Sequence, residues 1–295
     1  MILGAIGARS RHLRFFQAAL DRLCPGRRIG PVCAFDAPEL APELEEFDLC
    51  PTPEEVIARA DAVLVLPREG YWHAHAAALA LRQGKPVFVD KPFVCDPAQA
   101  AALAALSRET GVPCTGGSTL CFTPEVQTLC AALPRCAHYT IRYQADPFSP
   151  FGGWYFYGSH LTDLCTCLFG GDFTSVQARC ENAAITAEVT YPDFTVTLCS
   201  TPAVQPPVLT ADRTYVLDDQ GCYASGMAHF LSVIKKETPG CAERLCASVR
   251  LMDAIVTALR AGSVSKNPFR HADGLQKSSE DKQLTPVGVH EYGRA

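Results

Sequence analysis

A chain of 295 residues has room for about two ordinary domains. Hydrophobic residues at 48% and charged residues at 19% match a soluble globular protein. The 26 Lys+Arg against 31 Asp+Glu leave a net charge of −5, the wrong sign for holding nucleic acid through phosphate contacts. No apolar run reaches the roughly 18–20 residues of a membrane span. The opening MILGAIGARSRHLRFF sets its basic residues after the short apolar run, the reverse of a secretory signal. A cytoplasmic protein with neither membrane nor nucleic-acid partner is expected.

In chain order, Ile2–Ile6 reads as a strand ending on Gly7, followed by a helical stretch His12–Leu23. The segment 29–35 is a second strand ending on Asp36. Thr52-Pro53-Glu54-Glu55 has the form of a capping box with Pro at the first helical position. The helix it opens leads to Ala62–Leu66, an uninterrupted apolar run suited to a strand buried on both faces. Tyr71–Gln83 is helical and stops at Gly84, Pro86–Val89 is a strand, and Asp96-Pro97 starts a helix that ends at Gly111. This alternation predicts a Rossmann-type, doubly wound parallel sheet over residues 1–113, with ligand at the carboxyl ends of its strands.

From residue 114 the rhythm changes. His138–Gln144, Thr174–Cys180, Ala184–Tyr191, Phe194–Cys199 and Val208–Leu217 read as strands in near succession, several alternating apolar and polar residues. Leu245, Val249, Met252, Ile255 and Leu259 form an apolar helical stripe. Residues 114–265 are thus expected to form an α+β domain with a mainly antiparallel open sheet, and 266–295 a polar tail. The fold class is α/β.

The first strand-to-helix turn is where a dinucleotide pyrophosphate sits in such sheets. Here it reads Gly7-Ala8-Arg9-Ser10-Arg11-His12, a broken version of G-x-G-x-x-G. Gly7 suits a tight turn, Ser10 a helix cap, and Arg9 and Arg11 charge-assisted phosphate contacts. Asp36, ending the second strand, is placed to accept ribose hydroxyls, which favours NAD and leaves NADP open. The 15 cysteines, an odd number, argue for reduced thiols over a disulfide framework. Most are expected to pack as small buried hydrophobes. No C-x-x-C pair exists, Cys165 and Cys167 have no second pair at zinc spacing, and no metal site is expected.

The sharpest motif is GKPVFVDKPF, which puts Asp90-Lys91-Pro92 just past a buried strand, where a lysine can exchange a proton with a substrate hydroxyl. With the upstream DAVLVLP ending at Pro67, and His73, it resembles the Gfo/Idh/MocA oxidoreductases, typified by glucose–fructose oxidoreductase and inositol dehydrogenase. They carry Glu-Lys-Pro there, against Asp90-Lys91-Pro92 here. The stretch Gly152-Gly153-Trp154-Tyr155-Phe156-Tyr157-Gly158-Ser159-His160-Leu161-Thr162-Asp163 is similar to the family's glycine-rich lead-in to G-x-H-x-x-D. The resemblance covers roughly residues 1–265 and departs at Phe156, where family dehydrogenases usually place an Asp.

The resemblance implies an NAD(P)-dependent oxidoreductase moving a hydride between the nicotinamide and a sugar, polyol or related hydroxy compound. Lys91, His160 and Tyr157 are then the catalytic candidates. Gly7, Ala8, Arg9, Ser10, Arg11, Asp36, Pro67, Asp90 and Lys91 are the cofactor-binding ones, and Trp154, Tyr155 and Asp163 face substrate. The four aromatic residues 154–157 read equally as a carbohydrate wall or as core. A homodimer or homotetramer through the open sheet is also implied. Phe156 and the broken loop keep a second reading open, a catalytically lapsed member that binds nucleotide or sugar as a sensor or partner subunit.

Overall fold

The computed structural model describes residues 1–201 and 206–262. The segment 266–295, expected to be a polar tail, lies outside the described residues, as does the boundary at 265.

The first sheet is built from β1 (Leu3–Ile6), β2 (Ile29–Cys33), β3 (Ala62–Val65), β4 (Val87–Val89) and β5 (Cys114–Gly116). All pairs are parallel, in the order β2-β1-β3-β4-β5. The order reverses beside β1, so a crevice opens at the carboxyl ends of β1 and β3. Every residue of β3 is fully buried, as its unbroken apolar run demands for a strand covered on both faces.

The covering helices are α1 (His12–Leu23), α2 (Pro53–Arg59), α3 (His73–Arg82) and α4 (Pro97–Thr110). Two start as the sequence predicts. The Thr52 hydroxyl accepts from the Glu55 amide at 3.2 Å, the Asp96 carboxylate accepts from the Gln99 amide at 2.8 Å, and Pro follows each cap. Helix α4 ends on Gly111 at φ +68°, a left-handed conformation in which glycine carries no Cβ penalty. Helix α1 departs from expectation. Its cap is Arg11, and Ser10 sits one residue earlier with its hydroxyl accepting from the His12 amide at 3.2 Å.

The second sheet has the order β11-β10-β6-β9-β8-β7. Its strands are β6 (His138–Gln144), β7 (Ser175–Glu181), β8 (Ala184–Thr190), β9 (Thr195–Thr201), β10 (Val208–Thr210) and β11 (Thr214–Val216). Pairing is antiparallel except between β6 and β9. The single strand expected over 208–217 is instead a tight hairpin, because Ala211-Asp212-Arg213 turns back with the Ala211 amide bonded to the Arg213 carbonyl at 2.9 Å. Helices α5 (Pro124–Ala132), α6 (Trp154–Phe169), α7 (Cys222–Ile234) and α8 (Ala242–Gly262) complete the described chain. Ile141, Ala187, Val189, Val196 and Leu198 are buried in one core with Leu161, Leu164, Leu251 and Ile255 from α6 and α8. The opposite face carries partly exposed Thr140, Thr186, Thr195 and Thr197 and is open among the described residues.

Residues 114 onward do not keep to the second sheet. Cys114–Gly116 is the fifth strand of the first. Met227, Phe230 and Leu231 of α7, and Leu245 and Val249 of α8, are buried in the first sheet's two cores. These returning helices hold the carboxyl edge of the first sheet against α6.

Candidate active site

At the turn after β1, Gly7 has φ +93°, and a Cβ there would lie 2.3 Å from the Pro67 nitrogen, so only glycine fits this approach. The loop that follows is held by Asp36. Its two carboxylate oxygens accept from the amides of Ala8 (2.8 Å) and Arg9 (3.3 Å), and its carbonyl accepts from Arg9 Nε at 2.7 Å. Arg9 also reaches Glu39 at 3.1 Å, while Arg11 is exposed. An ionised carboxylate has about four acceptor sites, so each Asp36 oxygen keeps one for a ribose hydroxyl. The strand expected to end on Asp36 stops at Cys33, and Asp36 stands in the turn after β2; with the close turn beside Pro67 and basic side chains at the start of α1, it suits the adenosine and phosphate end of a dinucleotide.

Lys91 follows β4 and is 4% exposed. The Asp90 amide bonds to the Val65 carbonyl at 2.9 Å, which continues the β3–β4 ladder to the motif. His73 bridges the two strand exits, its ring nitrogens at 2.7 Å from the carbonyls of Pro67 and Pro92. Lys91 Nζ lies 3.3 Å from the centroid of the Phe156 ring and 5.3 Å from that of Tyr157. A second cation, Arg68, stacks on Phe151 at 3.5 Å and approaches Phe156 at 5.5 Å. Burial lowers the Lys91 pKa to about 8, with Asp90 opposing the shift and Arg68 adding to it. Asp90 forms an ion pair with His12 of α1. Burial favours the protonated Asp90 carboxyl, but His12 and Lys91 outweigh it and hold the pKa below the usual value.

His160 comes from α6 on the other side of the crevice. Its Nδ1 is 2.7 Å from the Ser118 hydroxyl and its ring meets Tyr143 edge-on at 5.4 Å. Burial, and then the Lys91 charge, press its pKa well below the ordinary histidine value, so the ring is neutral near pH 7. With Nδ1 engaged by Ser118, Nε2 is the nitrogen left for a ligand.

The rest of the α6 motif supports this site from behind. Asp163 is 2% exposed, and its Oδ2 accepts from the Ser118 amide at 2.5 Å. A Cβ at Gly117 would come within 2.5 Å of that oxygen. Asp163 therefore fixes the turn that carries Ser118, and the expectation that it faces substrate is corrected. Trp154 is fully buried beneath Gly158, where a Cβ would lie 2.3 Å from the indole, and Tyr155 is 7% exposed in the same core. These two rings are core, not a wall for ligand. Phe156 and Tyr157 are the two that turn to Lys91. His12, Arg68, Ser118 and Tyr143 escape a motif-based reading. Only His12 gives a signal, as a polar residue opening the helix beside the broken glycine loop. Among the described residues no group of three or more His, Cys, Asp or Glu side chains forms a metal site, and no helix is long and apolar enough to cross a membrane.

Comparison with known proteins adds sequence and fold. Residues 1–118 match the model of the oxidoreductase family with the NAD-binding Rossmann fold. No curated protein sequence matches the chain. The UDP-N-acetylglucosamine 3-dehydrogenase from Acidithiobacillus ferrooxidans is similar in structure at 20% identity and a TM-score of 0.73, covering 88% of this chain and 98% of its own. A 3-ketoreductase from Actinomadura kijaniata, in complex with TDP-benzene and NADP, is similar at 19% identity and a TM-score of 0.69, covering 89% of this chain and 97% of its own. Residues 1–118 match the NAD-binding Rossmann domain of the Gfo/Idh/MocA oxidoreductase family, and the chain as a whole shares its fold with these solved structures at low identity.

Proposed function

We propose that the chain is an NAD(P)-dependent oxidoreductase that interconverts a secondary hydroxyl and a ketone on a sugar, polyol or sugar nucleotide. The observation that carries this reading is the meeting of Lys91 and His160. They come from different domains, at the carboxyl ends of the first sheet; burial lowers the proton affinity of both, and the Lys91 charge lowers that of His160 further. A lysine near pKa 8 is suited to accept a hydroxyl proton at neutral to mildly alkaline pH. His160 Nε2 holds the same or a neighbouring oxygen by a hydrogen bond, with Ser118 setting the ring's orientation.

Gly7, Ala8, Arg9, Ser10, Asp36 and Pro67 hold the dinucleotide in this proposal, Asp90 anchors Lys91, and Tyr157 walls the substrate side. When bound, the nicotinamide supplies the acceptor or donor of the hydrogen and its electron pair. The proposed division of labour assigns residues 1–113 with β5 to the cofactor and the following domain to substrate and to pairing of two or four copies through the open sheet. The similar proteins that act on a UDP-sugar or were crystallised with a TDP compound and NADP support the sugar-nucleotide class.

A second reading rests on Phe156. Lys91 faces an aromatic ring where a carboxylate is usual in relatives, which suits a binding subunit without turnover. One screen separates the two. The purified chain is incubated with NAD or NADP and a panel of sugars, polyols and nucleoside-diphosphate sugars, with thermal stability and reduced-nucleotide absorbance followed together. Stabilisation with turnover supports the oxidoreductase; stabilisation without turnover on every member supports the binder.

A further inference from the structure

Behind the α6 motif lies a group of thiols that the proposed reaction does not use. Cys167 is one helical turn past Asp163 on α6. Its Sγ is 3.5 Å from Sγ of Cys130 on α5, and the Cys130 thiol reaches the Cys167 carbonyl at 3.3 Å. Cys167 Sγ in turn points to the carbonyl of Cys121 at 3.8 Å. Arg244 of α8 donates to Cys121 Sγ at 3.7 Å, to Cys241 Sγ at 3.6 Å and to the Gly116 carbonyl at 3.4 Å. Cys130 is exposed, Cys167 partly so, and Cys121 is buried. Most cysteines are expected to pack as small hydrophobes; here an exposed sulfur touches a second one with the Arg244 guanidinium close by.

We propose that Cys130 and Cys167 form a peroxide-reactive dithiol site that closes to a disulfide. The two sulfurs are already in van der Waals contact, so bonding needs only an approach to about 2.05 Å. Thiol hydrogen bonds from Cys121 and Cys130, with the nearby Arg244 charge, favour the thiolate at Cys167, which is the form that attacks. The Cys167 thiolate attacks one oxygen of hydrogen peroxide and breaks the O–O bond. This leaves a sulfenic acid and a hydroxide that takes a proton and departs as water. The Cys130 sulfur then attacks Cys167 Sγ and breaks the S–O bond, and its proton leaves with the hydroxide as a second water. Two thiols are oxidised and one peroxide is reduced to two waters. The site stands independently of the dinucleotide reading.

The test uses the full chain, fully reduced, exposed to hydrogen peroxide, alkylated and mapped by mass spectrometry without reductant. The expected product is a Cys130–Cys167 cross-linked peptide lighter by two hydrogens and reopened by dithiothreitol. It forms at least about tenfold faster than oxidation of Cys24 or Cys180, which are likewise partly exposed. In Cys130→Ser, an exposed position, the cross-link is lost and a dimedone-type reagent traps sulfenic acid at Cys167. A matching thermal melt for this variant shows that it is folded. Oxidation spread evenly over the cysteines, a disulfide between other partners, or an unlabelled Cys167 in Cys130→Ser would each overturn the proposal.

Discussion

The Lys91 ammonium stands 3.3 Å above the centre of the Phe156 ring. A ring face attracts a cation by its quadrupole but carries no charge, so it stabilises the ammonium less than a carboxylate would. Burial therefore prevails, and the lysine titrates at about 8.

This gives a pH dependence with a defined sign. Hydroxyl oxidation needs neutral Lys91 and rises with pH, levelling off above about 8; ketone reduction needs the ammonium and falls over the same range. Phe156→Asp places an anion beside both Lys91 and Arg68. It shifts the inflection upward, because an adjacent negative charge favours the protonated lysine. An inflection that stays put or moves down in the pH–rate profile contradicts the assignment of Lys91.

The same shift is visible in stability. The folded-state pKa of Lys91 lies below its ordinary 10.5. Between about 8 and 10.5 the unfolded chain keeps a proton that the folded chain has released, so this group's contribution to stability rises with pH. Below about 8 both states are protonated, and the folded one carries the cost of a buried charge. Lys91→Met removes the dependence. The wild-type melting temperature, measured relative to this variant, should climb across that window; a flat difference shows that Lys91 is not perturbed.

Asp36 holds the loop after β1 through the amides of Ala8 and Arg9. Asp36→Ala leaves both donors without their acceptor and should cost about 2 kcal/mol in denaturant unfolding, within the range for bonds to a charged group. It should also weaken NAD more than NADP in thermal-shift titration, since the carboxylate is what opposes a 2′-phosphate. Equal weakening of the two cofactors would remove Asp36 from the ribose site.

Much of this architecture is legible in the sequence where one physical constraint acts alone. The run Ala62–Leu66 has to be buried on both faces, and Thr52-Pro53 and Asp96-Pro97 have to cap helices. Lys91 and His160 are readable as a motif pair. Contacts made by long-range packing are not. Nothing local to Asp163 says that its carboxylate turns to the Ser118 amide, or that Trp154 lies under Gly158 while Phe156, two residues on, meets a lysine. Those orientations are set by how α6 is wedged between the second sheet and α8, which return contacts from far along the chain decide. His12 pairs with Asp90 for the same reason, since the contact joins the start of α1 to the end of β4, 78 residues apart in the chain.

The central claim is that Lys91 exchanges the proton with substrate. Lys91→Ala, assayed with the nucleotide and sugar found active in the screen, tests it most directly. The account predicts nucleotide-induced stabilisation equal to wild type and a fall in kcat of at least about a hundredfold, the low end for a positioned acid–base group. Unchanged kcat in a folded, nucleotide-binding Lys91→Ala protein would contradict it.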